Sequence, residues 1–378
     1  MKNMLIMTPG PTYVHEEVRS AMMRPITNPD LDLGFYEFYR ETCNEFKKLL
    51  KTENEVLILG GEGILGLEAA CASLIEPGDR VLCIDNGIFG KGFGDFQKMY
   101  GGEVVYYEAD YKKAIDAYAL EEFLKKDNNF KMATLVHCET PSGITNPINL
   151  ICPLLKQYGI ITVVDSVSGI GGEDIRVDEW KIDIALGGSQ KCLSAPPGLT
   201  FLSISKAALA AIDNRKTPVA GFYCNLGIYK NWYENKWFPY TQSISDIYAL
   251  RCALDRLLHE GDYLKRHKKI AEAVRKSLTI SGLELYAREG HSNTVSTVLI
   301  PEGITFEVLY EEMLNNHGVM IGGAFDYLKG KVFRIGHMGE NCREEKLYLT
   351  MKALNEVFTR HGIKLNGEIH KHFIVYMR

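Results

Sequence analysis

Seven short runs of β-branched and aliphatic residues recur between about residues 55 and 205, each separated from the next by a stretch of helical pattern. The runs cover 56–59, 81–84, 104–107, 134–136, 160–164, 182–186 and 199–203. They are apolar at successive positions rather than at every second one, so both faces of each strand must be covered. Strands of that kind, alternating with helices, form a sheet held between helical layers, and the class is α/β. No internal repeat, low-complexity tract or charge block interrupts the plan.

Between 217 and 243 the sequence is rich in aromatic residues and turn formers and has no clear period, which predicts a long excursion of the functional kind. Helical patterns resume at 244–260 and 262–281. A second α/β unit follows, with strands at 294–300 and 332–335 and helices at 306–316 and 343–361. A chain of 378 residues is too long for one typical domain, so we expect a large domain over 1–259, whose N-terminal segment contributes to the active site, and a small C-terminal domain over 260–378.

Composition narrows the partners. Hydrophobic residues make up 46% and charged residues 24%, and the net charge of −5 offers no basic footprint for nucleic acid. The apolar stretch before Pro9-Gly10-Pro11 is too short for a signal peptide, and no run is long enough to span a membrane. The expectation is a cytoplasmic protein acting on small soluble molecules. Nine cysteines without a CxxC pair fit reduced thiols, and no histidine or cysteine spacing suggests a metal.

After the first run comes Gly60-Gly61-Glu62-Gly63-Ile64-Leu65-Gly66, which contains a formal GxGxxG, with Asp85 ending the next strand about where a ribose-binding acid would sit. A nicotinamide-dependent dehydrogenase using Gly61 to Gly66 is therefore one reading. The physical content of the motif is narrower, since glycines let backbone N–H groups and a helix start approach any phosphate. A cofactor monophosphate satisfies it equally well, and so does a purely structural turn.

The run 160–164 leads into Asp165, a carboxylate at the C-terminal edge of a buried strand, where open α/β sheets bind ligands. After the next strand comes Gly187-Gly188-Ser189-Gln190-Lys191-Cys192, so a lysine and an aspartate emerge from two strand ends. Pyridoxal phosphate chemistry needs this pair. The lysine forms a Schiff base and later shuttles a proton, while the aspartate keeps the pyridine nitrogen protonated so that the ring acts as an electron sink. Taken singly, Lys191 could be a loop lysine and Asp165 a turn residue.

Asp165-Ser166-Val167, Ser189-Gln190-Lys191-Cys192 with Ala195-Pro196-Pro197-Gly198, His137-Cys138-Glu139-Thr140, and Phe333-Arg334-Ile335-Gly336-His337-Met338-Gly339 together resemble the class V aminotransferases. The nearest branch is the alanine–glyoxylate and serine–pyruvate group, with its 2-aminoethylphosphonate–pyruvate relatives. The resemblance implies a type I PLP-dependent transferase fold, with a mainly parallel seven-stranded sheet, a smaller C-terminal α/β domain and a homodimer with shared active sites. It implies a ping-pong transferase that moves an amino group between a small amino acid (alanine, serine or an aminophosphonate) and glyoxylate or pyruvate as keto acid. By the same resemblance Lys191 carries the pyridoxal 5'-phosphate, Asp165 meets its ring nitrogen, and Gln190 and the Glu62-Gly63-Ile64 turn grip its phosphate. Phe89 stacks on the ring, and Thr140 reaches its phenolic oxygen. Thr241, with Tyr240, reaches the phosphate of the neighbouring subunit. Arg334 and the Gly10 loop bind the substrate carboxylate, for which a planar guanidinium fork is suited.

Two departures stand out. Family members often carry a small hydroxyl residue at the position of Glu62, and a carboxylate there repels a phosphate unless it is turned away or paired. Ile64 replaces a polar residue of some members. Three alternatives to transamination stay open at this point. They are a PLP-dependent lyase or cysteine desulfurase, for which Cys342 is the thiol to watch, the dehydrogenase above, and a non-catalytic protein of the same fold that binds a partner.

Overall fold

The computed structural model describes residues 4–378. All seven runs are strands of one sheet, in the spatial order Glu55–Gly60, Leu199–Ile204, Ile184–Gly188, Ile161–Asp165, Met132–Val136, Arg80–Asp85, Glu103–Glu108. Every neighbouring pair is parallel except those made by Leu199–Ile204, which runs antiparallel to both of its neighbours. The central strands Met132–Val136 and Ile184–Gly188 are buried at every residue, as uninterrupted apolar runs require. Glu103–Glu108 is only half-buried, because it lies at the sheet edge where no further strand covers it.

The turn after the first sheet strand feeds the helix Gly63–Leu74, whose small residues let it lie close on the sheet. A Cβ on Gly66 would stand 2.9 Å from Thr200 Oγ1, and one on Gly61, which has φ +146°, would stand 2.6 Å from Leu65 Cδ2. These two glycines of the GxGxxG therefore serve helix packing and a tight turn.

Leu33–Leu50 is a helix that periodicity did not single out. Asp32 caps it by accepting the Gly34 N–H at 2.8 Å, and Lys51 ends it in the left-handed conformation. Its buried face explains the aromatic excursion. Tyr36 stacks on Phe238 at 4.7 Å, Phe238 stacks on Trp232 at 5.3 Å, and the Tyr36 hydroxyl donates to the Lys236 carbonyl at 2.6 Å. The excursion holds only one short helical turn, Leu226–Tyr229, and is tied down by these rings instead.

Buried apolar residues fall into two main cores. One gathers side chains from Val18 to Leu257 around the seven-stranded sheet. The other gathers Met7 with residues from Ile270 to Met377, around the antiparallel pair Val295–Leu299 and Val332–Gly336 and the helices Tyr263–Ile280, Phe306–His317, Glu344–Arg360 and Ile369–Met377. The first described strand, Leu5–Ile6, belongs with this second core, since it pairs in parallel with Val319–Met320. The chain then crosses back, and Thr12 N–H donates to the Gln190 carbonyl at 3.1 Å. Helix Leu33–Leu50 is fastened to the sheet by Tyr39, whose hydroxyl donates to the Ile58 carbonyl at 2.7 Å, and by Phe46, fully buried and stacked on Phe201 at 4.1 Å. Phe46→Ala is expected to cost about 3–5 kcal/mol of stability in denaturant titration, and a loss under about 1 kcal/mol would contradict this packing.

Candidate active site

Asp165 is the last residue of its strand, and Lys191 follows the neighbouring strand Ile184–Gly188 by three residues, so both emerge at the carboxyl edge of the parallel sheet. Glu62, Gly63, Ile64, Phe89, Thr140, Asp165, Gln190 and Lys191 line one cavity of about 210 Å³. Positions spread over 130 residues of sequence thus share one small space.

The lysine is held from two sides. Its Nζ donates to the Pro9 carbonyl at 2.7 Å, while Thr12 Oγ1 donates to the Lys191 carbonyl at 3.1 Å. Gly10, at φ +99°, lies against the lysine stem, and a Cβ there would stand 2.5 Å from Lys191 Cδ and 2.7 Å from Nζ. Only glycine fits both that backbone angle and that approach. Burial, reinforced by the positive charge of Arg334, pulls the Lys191 amine below its ordinary pKa, towards the neutral form that acts as base or nucleophile.

Asp165 is buried, and its Oδ1 accepts the Val167 N–H at 2.8 Å. Burial pushes its carboxyl up to about 6, with the Val167 bond and Lys191 acting the other way and Glu62 adding to the rise. Such a carboxyl gains from a cationic or N–H partner arriving in the cavity. Gln190 carries a fully buried Oε1 without a hydrogen-bond partner. The helix Gly63–Leu74 starts at the cavity with no side-chain cap from Glu62, and a Cβ on Gly63 would stand 2.6 Å from Val167 Cγ2. Its N-terminal N–H groups are donors that the helix itself cannot satisfy. Thr140 Oγ1 shares a hydrogen bond with Ser168 Oγ at 2.6 Å, and Ser168 also lines the cavity.

Phe89 stands in the first turn of helix Ile88–Met99, and its N–H donates to the buried carboxylate of Glu139 at 3.0 Å. Sequence reasoning gave Glu139 no role beyond its place in a motif, because its partner lies 50 positions away. Arg334 does not line the cavity; its Nε donates to the Gly323 carbonyl at 2.6 Å, and burial pulls its guanidinium down to about 10. Tyr240 lies outside the cavity, packed on Tyr223 at 4.5 Å with its hydroxyl buried and unpartnered, and Thr241 is exposed.

The other readings find less support. Both oxygens of Asp85 are engaged internally, Oδ1 by the Gly87 N–H at 3.2 Å and Oδ2 by the Tyr111 hydroxyl at 2.8 Å, which gives the carboxylate a place within the fold without a ribose. Cys342 is fully buried ahead of helix Glu344–Arg360, and burial pushes its thiol up to about 12, unlike a mobile nucleophile. Among the described residues no group of three or more His, Cys, Asp or Glu side chains could hold a metal ion.

Residues 14–323 match the Aminotransferase class-V family. The chain is 37% identical over 365 residues to an uncharacterized aminotransferase of Methanocaldococcus jannaschii, with 96% of this chain and 94% of the relative covered. To the pyridoxamine–pyruvate transaminase of Mesorhizobium japonicum it is 35% identical over 366 residues, covering 96% and 93%. It superposes on the crystal structure of ureidoglycine–glyoxylate aminotransferase from Bacillus subtilis with a TM-score of 0.95, at 31% identity over 100% of this chain and 98% of the other. The family match takes in every residue that lines the cavity, from Glu62 to Lys191, and this chain belongs to the class-V aminotransferases.

Proposed function

We propose that this transaminase works on a pyridoxal ring attached to Lys191 and moves an amino group from a small amino acid to pyruvate or glyoxylate. The observation that carries the reading is one small cavity holding a lysine amine pulled towards neutrality and a carboxyl at the next strand end. The donor set fits such a ring. Asp165 would keep a proton on the pyridine nitrogen, a cation whose charge would relieve the buried carboxylate and bring its raised pKa back down. Phe89 would face the ring and Thr140 its phenolic oxygen, while the unpartnered Gln190 and the start of helix Gly63–Leu74 would take the phosphate of pyridoxal 5'-phosphate. When bound, that group supplies an electron sink for the substrate Cα.

The chain's own residues do the rest. Arg334, its Nε tied to Gly323, presents its two terminal nitrogens as a fork for a carboxylate. Lys191 Nζ, drawn towards its neutral form, would be the base that takes and holds the substrate Cα proton. Relatives named for pyruvate and for glyoxylate support a small keto acid as acceptor.

We further propose a homodimer in which Thr241 and Tyr240 serve the neighbouring site. The exposed apolar side chains Met23, Ile26, Leu31 and Leu33, with Phe222, Tyr223 and Trp237 in the excursion, support a face covered by a second copy. The two cores correspond, in this proposal, to a large domain to about residue 259 and a small one beyond it. No described helix is long and apolar enough to cross a membrane, and the nine cysteines are free thiols, as a cytoplasmic location would have them.

Glu62 favours a second reading of what Lys191 holds. It stands at the N-terminus of helix Gly63–Leu74, facing the cavity, and there supplies the negative charge that a helix start attracts. A phosphate would meet that carboxylate, whereas the hydroxymethyl group of unphosphorylated pyridoxal or pyridoxamine could donate a hydrogen bond to it. The M. japonicum relative is named for pyridoxamine as its substrate. On this reading the ring itself is the exchanging amino donor, with pyruvate as acceptor.

Two measurements test these readings. Protein incubated with the ring should show a near-ultraviolet or visible band that borohydride fixes onto Lys191. Lys191→Ala should abolish the band and slow keto-acid-dependent transamination by about 10²- to 10⁴-fold; undiminished turnover in that variant would overturn the proposal. Titration with pyridoxal phosphate and with pyridoxal separates the two forms. If Glu62 excludes phosphate, the wild-type protein prefers pyridoxal, and Glu62→Ser shifts the preference towards pyridoxal phosphate by about tenfold or more, the equivalent of ~1.4 kcal/mol. Tight retention of pyridoxal phosphate by wild type, unaltered in Glu62→Ser, rules the second reading out.

A further inference from the structure

We infer that Glu139 is a positioning residue, which from behind the cavity wall holds the start of helix Ile88–Met99 so that Phe89 faces the ring on Lys191. The inference rests on the proposal that the cavity takes a pyridoxal ring.

Helix Ile88–Met99 has no cap of its own, because its N-cap residue is Gly87, which has no side chain to offer. The missing acceptors come from a different part of the chain. Glu139 Oε1 accepts the Phe89 N–H and Oε2 accepts the Gly90 N–H, each at 3.0 Å. Both carboxylate oxygens are thus spent on consecutive amides of the helix's first turn, one of them belonging to the residue whose ring lines the cavity. The seat is close. Gly87 has φ +152°, and a Cβ there would stand 2.6 Å from Glu139 Cγ and 2.8 Å from Cδ.

Glu139 itself is anchored through its backbone. It ends the strand Cys138–Glu139, paired with Ile144–Thr145, and its carbonyl accepts the Gly143 N–H at 2.9 Å and the Ser142 hydroxyl at 3.2 Å. The next residue, Thr140, turns into the cavity. One short hairpin therefore sets two walls of the site, Thr140 directly and Phe89 through the Glu139 carboxylate.

The carboxylate is fully buried and, among the described residues, meets no cation at hydrogen-bond distance, so the two amides are its main compensation. Burial pushes its carboxyl up to about 7 despite them. A buried polar side chain such as glutamine could satisfy one amide, but its NH₂ would then confront the other. Phe89 packs on the large core and meets the ring of the exposed Phe325 edge-on at 5.9 Å, and its backbone N–H is the point at which Glu139 fixes it.

A helix cap with a purely structural role and a positioning residue differ in a double-mutant cycle read by ring affinity. Wild type, Glu139→Gln, Phe89→Ala and the double variant are titrated with pyridoxal phosphate and with pyridoxal, following absorbance and the circular dichroism of the bound ring. We expect Glu139→Gln to weaken binding by about tenfold and to diminish the induced dichroism, but to change affinity by less than about twofold in the Phe89→Ala background. Glu139→Asp, which keeps both oxygens, should recover part of the affinity, and it carries the comparison should Glu139→Gln fail to fold. Equal losses in both backgrounds, with dichroism unchanged, overturn the inference while leaving the proposed function intact. A wild-type protein that binds neither compound overturns both, and the two failures are told apart by the wild-type titration alone.

Discussion

The site depends on keeping an amine out of water beside a carboxyl without letting the two simply neutralise one another. Lys191 Nζ is held on the Pro9 carbonyl at 2.7 Å, not on Asp165, and Asp165 spends one oxygen on the Val167 amide at 2.8 Å. A backbone carbonyl is a weaker partner for an ammonium than a carboxylate is, so burial is free to draw the amine towards neutrality. The sheet makes this arrangement possible. Two neighbouring parallel strands deliver the two groups at their carboxyl ends, and strand spacing, rather than any direct bond between the side chains, sets how far apart they lie.

Burial acts in the same sense on Asp165, Lys191, Glu139 and Arg334, weakening acids and bases alike. Asp165 rises to about 6 and Glu139 to about 7, while Arg334 falls to about 10. Each is a group whose ionised form is less comfortable in the fold than in water, so the site subtracts from stability what it contributes to chemistry. The large core around the sheet supplies the compensation, with strands buried on both faces and a helix clamped by stacked rings.

Legibility in the sequence followed the range of the signal. All seven sheet strands were readable because each is an unbroken apolar run, and Asp165, Lys191 and the glycine turn were readable because they sit at or just beyond strand ends. Phe89, Thr140, Gln190, Glu62 and Ile64 came from the family resemblance, and Leu67 and Ser168 carried no signal of their own. Helix Leu33–Leu50 was not, since its apolar face is largely aromatic and partly serves the excursion at 217–243. The pairing of Leu5–Ile6 with Val319–Met320 was equally hidden, because two residues carry no period. The glycine motif misled in part. It reads as dinucleotide-binding, yet Gly61 and Gly66 are explained by contacts with Leu65 and Thr200, and Asp85 is occupied by Tyr111. Glu139 stood in plain view within a recognisable motif, but its meaning lies in two amides 49 and 50 positions away, and no local pattern encodes that.

The segment from Leu5 to Tyr13 is held by partners far along the chain. Leu5–Ile6 pairs with Val319–Met320, and the Tyr13 N–H donates to the Asn341 side chain, a separation of 328 positions. Between these two ties the Pro9–Pro11 segment, with Gly10 pressed on the lysine stem, lies over Lys191. Contacts so distant in sequence form late, because their loop-closure entropy is repaid only when the intervening chain is in place. The covering of Lys191 thus hangs on the second core, although the lysine itself belongs to the sheet.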